Sequence, residues 1–344
     1  MALKDIIGHE KAVKILKGFI SRERIPHALL FAGDDGIGKR LTALNFAKTL
    51  NCDGKDGGGL FAGAEAEGAD SEQTDCCDAC PTCHKIEKNS HPDFFDLSPE
   101  GDGGQITVSV IRQLEESMAY KAFEGKWKVA VIDHADRLNQ SAANAFLQTL
   151  EEPFENSIFI LISSRPELIL DTIRSRCQRI SFSPLPAEIM SSFLMGEIDD
   201  IDRNQSLLLS LLSGGRLGYA LNEDLLLQRD RSFEVLEQML MADESGLWQD
   251  KAEMEEWFDW AQLWLRDIAV EKATGRRDFL INRDREKDIT RIAERTVLPD
   301  VLKLARELYN IRSRLQFNLN KQLTFNYSSL LIRKRLGRSD VREQ

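Results

Sequence analysis

Between residues 3 and 185, short apolar runs alternate with segments whose apolar positions recur at helical spacing. The runs at 28–32, 94–97, 129–133, 158–163 and 179–182 are the expected strands. They are separated by amphipathic stretches at 41–50, 108–118 and 141–151. Asn139 or Ser141 is placed to cap the last of these helices, and Gly101-Asp102-Gly103-Gly104 is a turn. Strand–helix alternation of this kind predicts an α/β fold with a parallel sheet. Past Pro184-Leu185-Pro186 the strand signal stops. Residues 187–242 predict short helices broken at Ser213-Gly214-Gly215, and from about 246 the pattern is helical to the end. Trp248, Trp257, Trp260 and Trp264 fall at helical spacing and are expected to form a buried stripe. Three domains are therefore expected: 1–185 (α/β), 186–243 (small helical) and 244–344 (all-α).

The first strand runs into Gly33-Asp34-Asp35-Gly36-Ile37-Gly38-Lys39-Arg40, which fits G-x-x-x-x-G-K-[ST] except at its last position. In such a loop the backbone N–H groups and the following helix N-terminus cradle phosphates. The final hydroxyl would ligate Mg²⁺, and here it is replaced by Arg40. Thr42 lies roughly 200° further round the helix and is poorly placed to substitute. Asp133, ending the third strand, is the expected carboxylate partner for Mg²⁺, but the next residue is His134 where a hydrolase of this kind carries Glu. A nucleotide site built from Gly33, Gly36, Gly38, Lys39 and Asp133, weakened for ATP/Mg²⁺ turnover, is the expectation.

Net charge is −11, which argues against a protein that coats DNA unaided. Basic residues nevertheless concentrate after Val301, so that region is either a solvated helical surface or a contact for nucleic acid or an acidic partner. There is no apolar run of membrane-spanning length and no signal-peptide pattern, so a cytoplasmic protein without membrane partners is expected.

Five of the six cysteines lie between 52 and 83. Cys77, Cys80 and Cys83 form C-x₂-C-x₂-C, with Cys52 upstream as a fourth thiolate, and Cys76 and His84 stand in reserve. Four such ligands suit a closed tetrahedral Zn²⁺ site, structural because no position is left open for water. The intervening Gly-, Ala- and acid-rich stretch is expected to lack fixed structure.

Thr172-Ile173-Arg174-Ser175-Arg176-Cys177 completes a series with the phosphate loop, the cysteine set and Asn144-Ala145-Phe146-Leu147-Gln148-Thr149-Leu150-Glu151-Glu152-Pro153. Gly8-His9, Pro26-His27, His91-Pro92-Asp93 and the late Asn320-Lys321-Gln322-Leu323 belong to it too. In this order the motifs resemble the bacterial clamp-loader subunits of DNA polymerase III, which are AAA+ proteins. The resemblance implies a nucleotide-binding domain with a zinc insertion, a helical lid and an all-α collar that joins five subunits in a ring. It implies gamma/tau and delta subunits as partners, and the sliding clamp and primed DNA reached through the complex. It places phosphate-sensing hydroxyls at Ser163 and Ser164, and makes Arg176 an arginine finger acting in trans on a neighbour's ATP. A motor's sensing arginine would fall at Gly218, with Arg216 two residues out of step. Together with Arg40 and His134, that favours a delta-prime-like stator. The alternative is a gamma/tau-like motor that itself binds and hydrolyses ATP.

Overall fold

The computed structural model describes residues 1–55, 75–99, 104–221, 225–241, 248, 250–315 and 319–337. The expected turn at Gly101-Asp102-Gly103 and most of the acid-rich stretch after Cys52 lie outside these. The chain divides into two compact units, Met1–Met190 with Gly214–Tyr219, and Ser191–Ser213 with Ala220–Gln344.

In the first unit, five parallel strands form one sheet: β1 (Ala28–Ala32), β2 (Phe94–Leu97), β3 (Lys128–Ile132), β4 (Ser157–Ser163) and β5 (Gln178–Ser181), in the order β2-β3-β4-β1-β5. The helices are α1 (Glu10–Ser21), α2 (Lys39–Asn51), α3 (Pro81–Glu87), α4 (Val108–Ala119), α5 (Gln140–Glu151) and the single turn α6 (Asp171–Arg174). Side chains alternate across a strand, so one face of the sheet offers Leu29, Phe31, Val129, Val131, Ile158 and Ile160 to Leu16 of α1 and Phe46 of α2. The other face offers Leu30, Ala130, Ile132, Phe159 and Leu161 to Leu114 of α4 and Phe146 of α5. With both faces covered, every residue of β1, β3 and β4 is buried. β5 lies at the sheet edge, and of its residues only Ile180 is buried. Asn139 caps α5, its side chain accepting from Ala142 N at 2.8 Å.

α7 (Ala187–Glu197) leads into α8 (Arg203–Leu212), α9 (Leu217–Ala220) and α10 (Leu225–Met241). Then follow α11 (Lys251–Thr274), α12 (Glu286–Glu294), α13 (Leu298–Arg314) and α14 (Lys321–Leu336). α10 is longer than the broken pattern of 187–242 suggests. The tryptophans do form a core stripe: Trp257, Trp260 and Trp264 are buried along α11. Trp248 meets Trp257 at 5.3 Å and Phe325 at 5.2 Å between ring centroids. Two arginines of the basic region are spent inside this unit. Arg312 pairs with Asp259 at 3.0 Å and Glu255 at 3.3 Å, and Arg335 with Asp300 and Glu307 at 3.1 Å. Among the described residues, no helix is long and apolar enough to cross a membrane.

Candidate nucleotide and metal sites

The register of the sheet assembles the first site. β1 pairs with β4 so that Ala32 faces Ser163, and Gly33 N donates to Ser163 O at 3.2 Å. The loop after β1, the end of β3 and the end of β4 therefore meet at the carboxyl edge of the sheet, where α/β folds bind ligands. Gly33, Gly36 and Gly38 all have positive φ. A Cβ on Gly33 would lie 2.5 Å from Phe182 O, so the loop needs glycine there.

Lys39, only 4% exposed, folds back on its own loop. Its Nζ donates to Gly33 O at 2.5 Å and Asp34 O at 2.6 Å, and lies 3.6 Å from Asp35. Burial lowers its pKa, against the opposing pull of Asp35 and Asp133. Arg40 turns to β2 and pairs with Asp96, whose side chain is 7% exposed. The Thr42 hydroxyl donates back to Gly38 O at 2.9 Å. Neither residue presents a hydroxyl at the position a loop-bound Mg²⁺ would need.

β3 ends at Ile132, and the chain then turns sharply at His134, which is left-handed (φ 50, ψ 48). Asp133 accepts from His134 N at 2.9 Å. The turn carries Asp136 across to β4, where it accepts from the Ser163 hydroxyl at 2.6 Å and pairs with Arg165 at 3.1 Å. Ser164 donates to Asp35 of the phosphate loop at 2.9 Å. Gly33, Gly36, Gly38, Lys39, Asp133, Ser163 and Ser164 thus share one end of the sheet, although Ser163 is already engaged by Asp136. The segment with Gly218 docks on the same loop, Gly218 N donating to Gly36 O at 2.9 Å. A Cβ at 218 would sit 3.2 Å from that oxygen, which accounts for a glycine there. Arg216 stacks over Tyr219, 4.4 Å from its centroid. Arg176 follows α6; it donates to Thr172 O at 2.9 Å and to Glu151, at the end of α5, at 2.6 Å.

The Sγ atoms of Cys52, Cys77, Cys80 and Cys83 all lie within 4.8 Å of one another. Ligands about 2.3 Å from a tetrahedral Zn²⁺ must be about 3.8 Å apart. Cys52 lies 3.5 Å from Cys77 and 3.9 Å from Cys80, so the four fit the ion. Burial pushes the Cys80 thiol up, but the backbone N–H groups of Cys83 and Asp53 and neighbouring thiols outweigh it and bring it to about 6. Burial raises the Cys52 and Cys83 thiols.

Several residues that support these sites were not singled out from sequence. A Cβ on Gly54 would fall 2.8 Å from Cys77 Sγ, so only glycine lets the chain pass there. Asp75 accepts from Leu3 N at 3.0 Å, Lys4 N at 2.8 Å and Cys76 N at 2.9 Å, tying the start of α1's approach to the cysteine module. Asp96 is the partner that commits Arg40. Only Asp75 carries a sequence signal, its place beside the cysteine run.

The chain is also similar to known proteins. The family model described as "DNA polymerase III, delta subunit" matches residues 8–186, and its C-terminal counterpart matches 240–333. The DNA polymerase III subunit delta' of Bacillus subtilis is 28% identical over 337 residues, covering 94% of this chain and 96% of that protein. The tau subunit of the same organism is 32% identical over 198 residues, 58% of this chain, which spans only 31% of tau's length. A solved gamma subunit-related protein of Thermotoga maritima is 18% identical, with a TM-score of 0.44 over 94% of this chain and 98% of its own. The α/β unit, the four-cysteine cluster and the helical C-terminal unit thus sit in a chain that belongs to the DNA polymerase III delta-subunit family and is most like its delta' members.

Proposed function

We propose that this chain is a delta'-type stator of the DNA polymerase III clamp loader, helping to place the sliding clamp on primed DNA without turning over ATP itself. The carrying observation is the engagement of Arg40 with Asp96, where a hydrolase needs a Mg²⁺-binding hydroxyl. The return of Thr42 to Gly38 O and the left-handed turn at His134 support the same reading, against a gamma/tau-like motor.

In this reading, residues 1–185 form the AAA+ domain, 186–243 the lid and 244–344 the collar that joins gamma/tau and delta subunits in a five-membered ring. Cys52, Cys77, Cys80 and Cys83 hold a structural Zn²⁺, which supplies cross-linking and no chemistry. Arg176 exchanges Glu151 for the phosphates of a neighbour's ATP and there offsets the charge that develops in phosphoryl transfer. Such a group is worth roughly 10³–10⁵ in rate at the site it serves.

The test is the DNA-stimulated ATPase of a reconstituted loader carrying Lys39→Ala in this subunit alone. An unchanged rate with intact assembly is expected. A large loss would make the chain a motor.

A further inference from the structure

A phosphate loop holds its ligand with backbone N–H groups and the ammonium of its lysine. Here the lysine is already engaged. An ammonium has three protons to donate. Lys39 gives one to Gly33 O at 2.5 Å and one to Asp34 O at 2.6 Å, leaving the third for the carboxylate of Asp35, whose Oδ1 lies 3.6 Å away. The other oxygen of that carboxylate, Oδ2, accepts from the Ser164 hydroxyl at 2.9 Å, just beyond β4. Asp35 therefore bridges the loop lysine and a hydroxyl from the neighbouring strand end, the two side chains expected to meet a phosphate from opposite sides.

Exposure and charge point the same way. The Asp35 side chain is 59% exposed and that of Lys39 only 4%, so an anion arriving from solvent meets the carboxylate before the ammonium. Burial lowers the Lys39 pKa, and Asp35, Asp133 and Asp34 all act against it, which places three carboxylates around one ammonium. Arg40 and Arg165, which follow Lys39 and Ser164 in sequence, are paired with Asp96 and Asp136. The side chains of this loop do not fit a polyphosphate: its cation is taken and its mouth is acidic. The backbone still does, since Gly33, Gly36 and Gly38 keep the positive φ of an open cradle.

We propose that Asp35 takes the phosphate seat of its own loop and is the residue that sets this site against nucleoside polyphosphates. The inference rests on the stator reading, in which the loop has no need to hold ATP, and names the side chain that keeps the ligand out. A carboxylate gives Lys39 and Ser164 the pairing that phosphate oxygens would give, an anion accepting from a cation and a hydroxyl. It does so from within the chain, without the loss of translational freedom that an incoming ligand must overcome. A nucleotide has to displace Asp35 and then remain beside its charge. Because the backbone cradle is retained, neutralising this one side chain should open the site to binding.

The test is direct binding of the fluorescent N-methylanthraniloyl-ADP to the full chain, read by anisotropy without added Mg²⁺. The wild-type chain should bind it with Kd above about 1 mM. Asp35→Asn keeps the shape and an acceptor for Ser164 but removes the charge, and should tighten binding at least about tenfold, with inorganic pyrophosphate competing. Asp34→Asn is the control for general acidity: its main-chain oxygen, not its carboxylate, meets Lys39, and it should change Kd by less than about threefold. Adding Lys39→Ala to Asp35→Asn should abolish the gain. Asp35 is exposed, so the substitution should leave folding intact, as circular dichroism would confirm. Saturation of the wild-type chain below about 100 μM, an unaltered Kd in Asp35→Asn, an equal gain from Asp34→Asn, or a gain that survives Lys39→Ala would each overturn the assignment. None of these touches the stator reading, which falls only if Lys39→Ala slows the assembled loader.

Discussion

Asp93, in His91-Pro92-Asp93, offers a sharp test of how the sheet is held. Its side chain is fully buried and gathers the backbone of the loop before β3. Phe123 N donates to both oxygens, at 2.8 and 3.0 Å, and Glu124 N and Gly125 N each donate at 2.8 Å. Three backbone donors are thus satisfied by one carboxylate, and hydrogen bonds to a charged acceptor contribute about 1.5–3 kcal/mol each. The donors lie at a partly exposed loop, and water can recover part of that once the carboxylate is gone. Asp93→Ala should therefore cost about 3–5 kcal/mol, below the additive sum. Asp93→Asn should cost about 2–3 kcal/mol, since it keeps the shape but turns a donor toward donors. Urea unfolding followed by tryptophan emission reads both, with Trp127 next to the loop. The pH dependence supplies a second reading. Burial pushes the Asp93 carboxyl up, but the three N–H donors and His91 outweigh it and hold it below the usual carboxylate range. The group binds a proton more readily in the unfolded chain, so its stabilisation is complete above about pH 4 and disappears as pH falls through the lower native value. Asp93→Asn should flatten that acid limb. A cost below about 1 kcal/mol for the alanine variant would refute the assignment of this carboxylate as the loop's organiser.

Cys77→Ser should abolish stoichiometric zinc, read by metal analysis, while circular dichroism shows the sheet retained; a full equivalent of zinc would remove Cys77 from the ligand set. Arg176→Ala should leave the loader assembled yet slow the one ATP site it faces by roughly 10³, so total turnover falls by that site's share; undiminished turnover contradicts the finger. Burial pushes the Cys177 thiol up to about 12. At pH 8 only about 10⁻⁴ of it is thiolate, so it should resist iodoacetamide in the native chain and react on unfolding. Rapid native alkylation would show that the thiol is not held in that environment.

The sheet was legible because a strand buried on both faces must be apolar at consecutive positions, as in Ala28-Leu29-Leu30-Phe31. The edge strand was harder, since only Ile180 of β5 turns inward. The phosphate loop and cysteine spacing were legible because glycine conformations and ligand geometry constrain local sequence. Partners distant in the chain were not. Nothing beside Arg40 announces Asp96, and no periodicity foretells that His134 adopts a left-handed turn that delivers Asp136 to Ser163. Gly218 read as a missing arginine, and its backbone approach to Gly36 O became visible only in three dimensions.

The Arg40–Asp96 pair also bears on how such a chain could change over time. A threonine at position 40 would leave Asp96, largely buried and with one oxygen already lacking a partner, without its cation. Removing the cation leaves a largely buried carboxylate uncompensated, which is destabilising. A hydroxyl at position 40 therefore costs stability unless residue 96 changes too, whereas a change at 96 alone leaves Arg40, 58% exposed, to solvent. The two positions, one at the start of α2 and one on β2, are therefore coupled: a metal-binding hydroxyl at 40 without loss of stability calls for a matching change at 96.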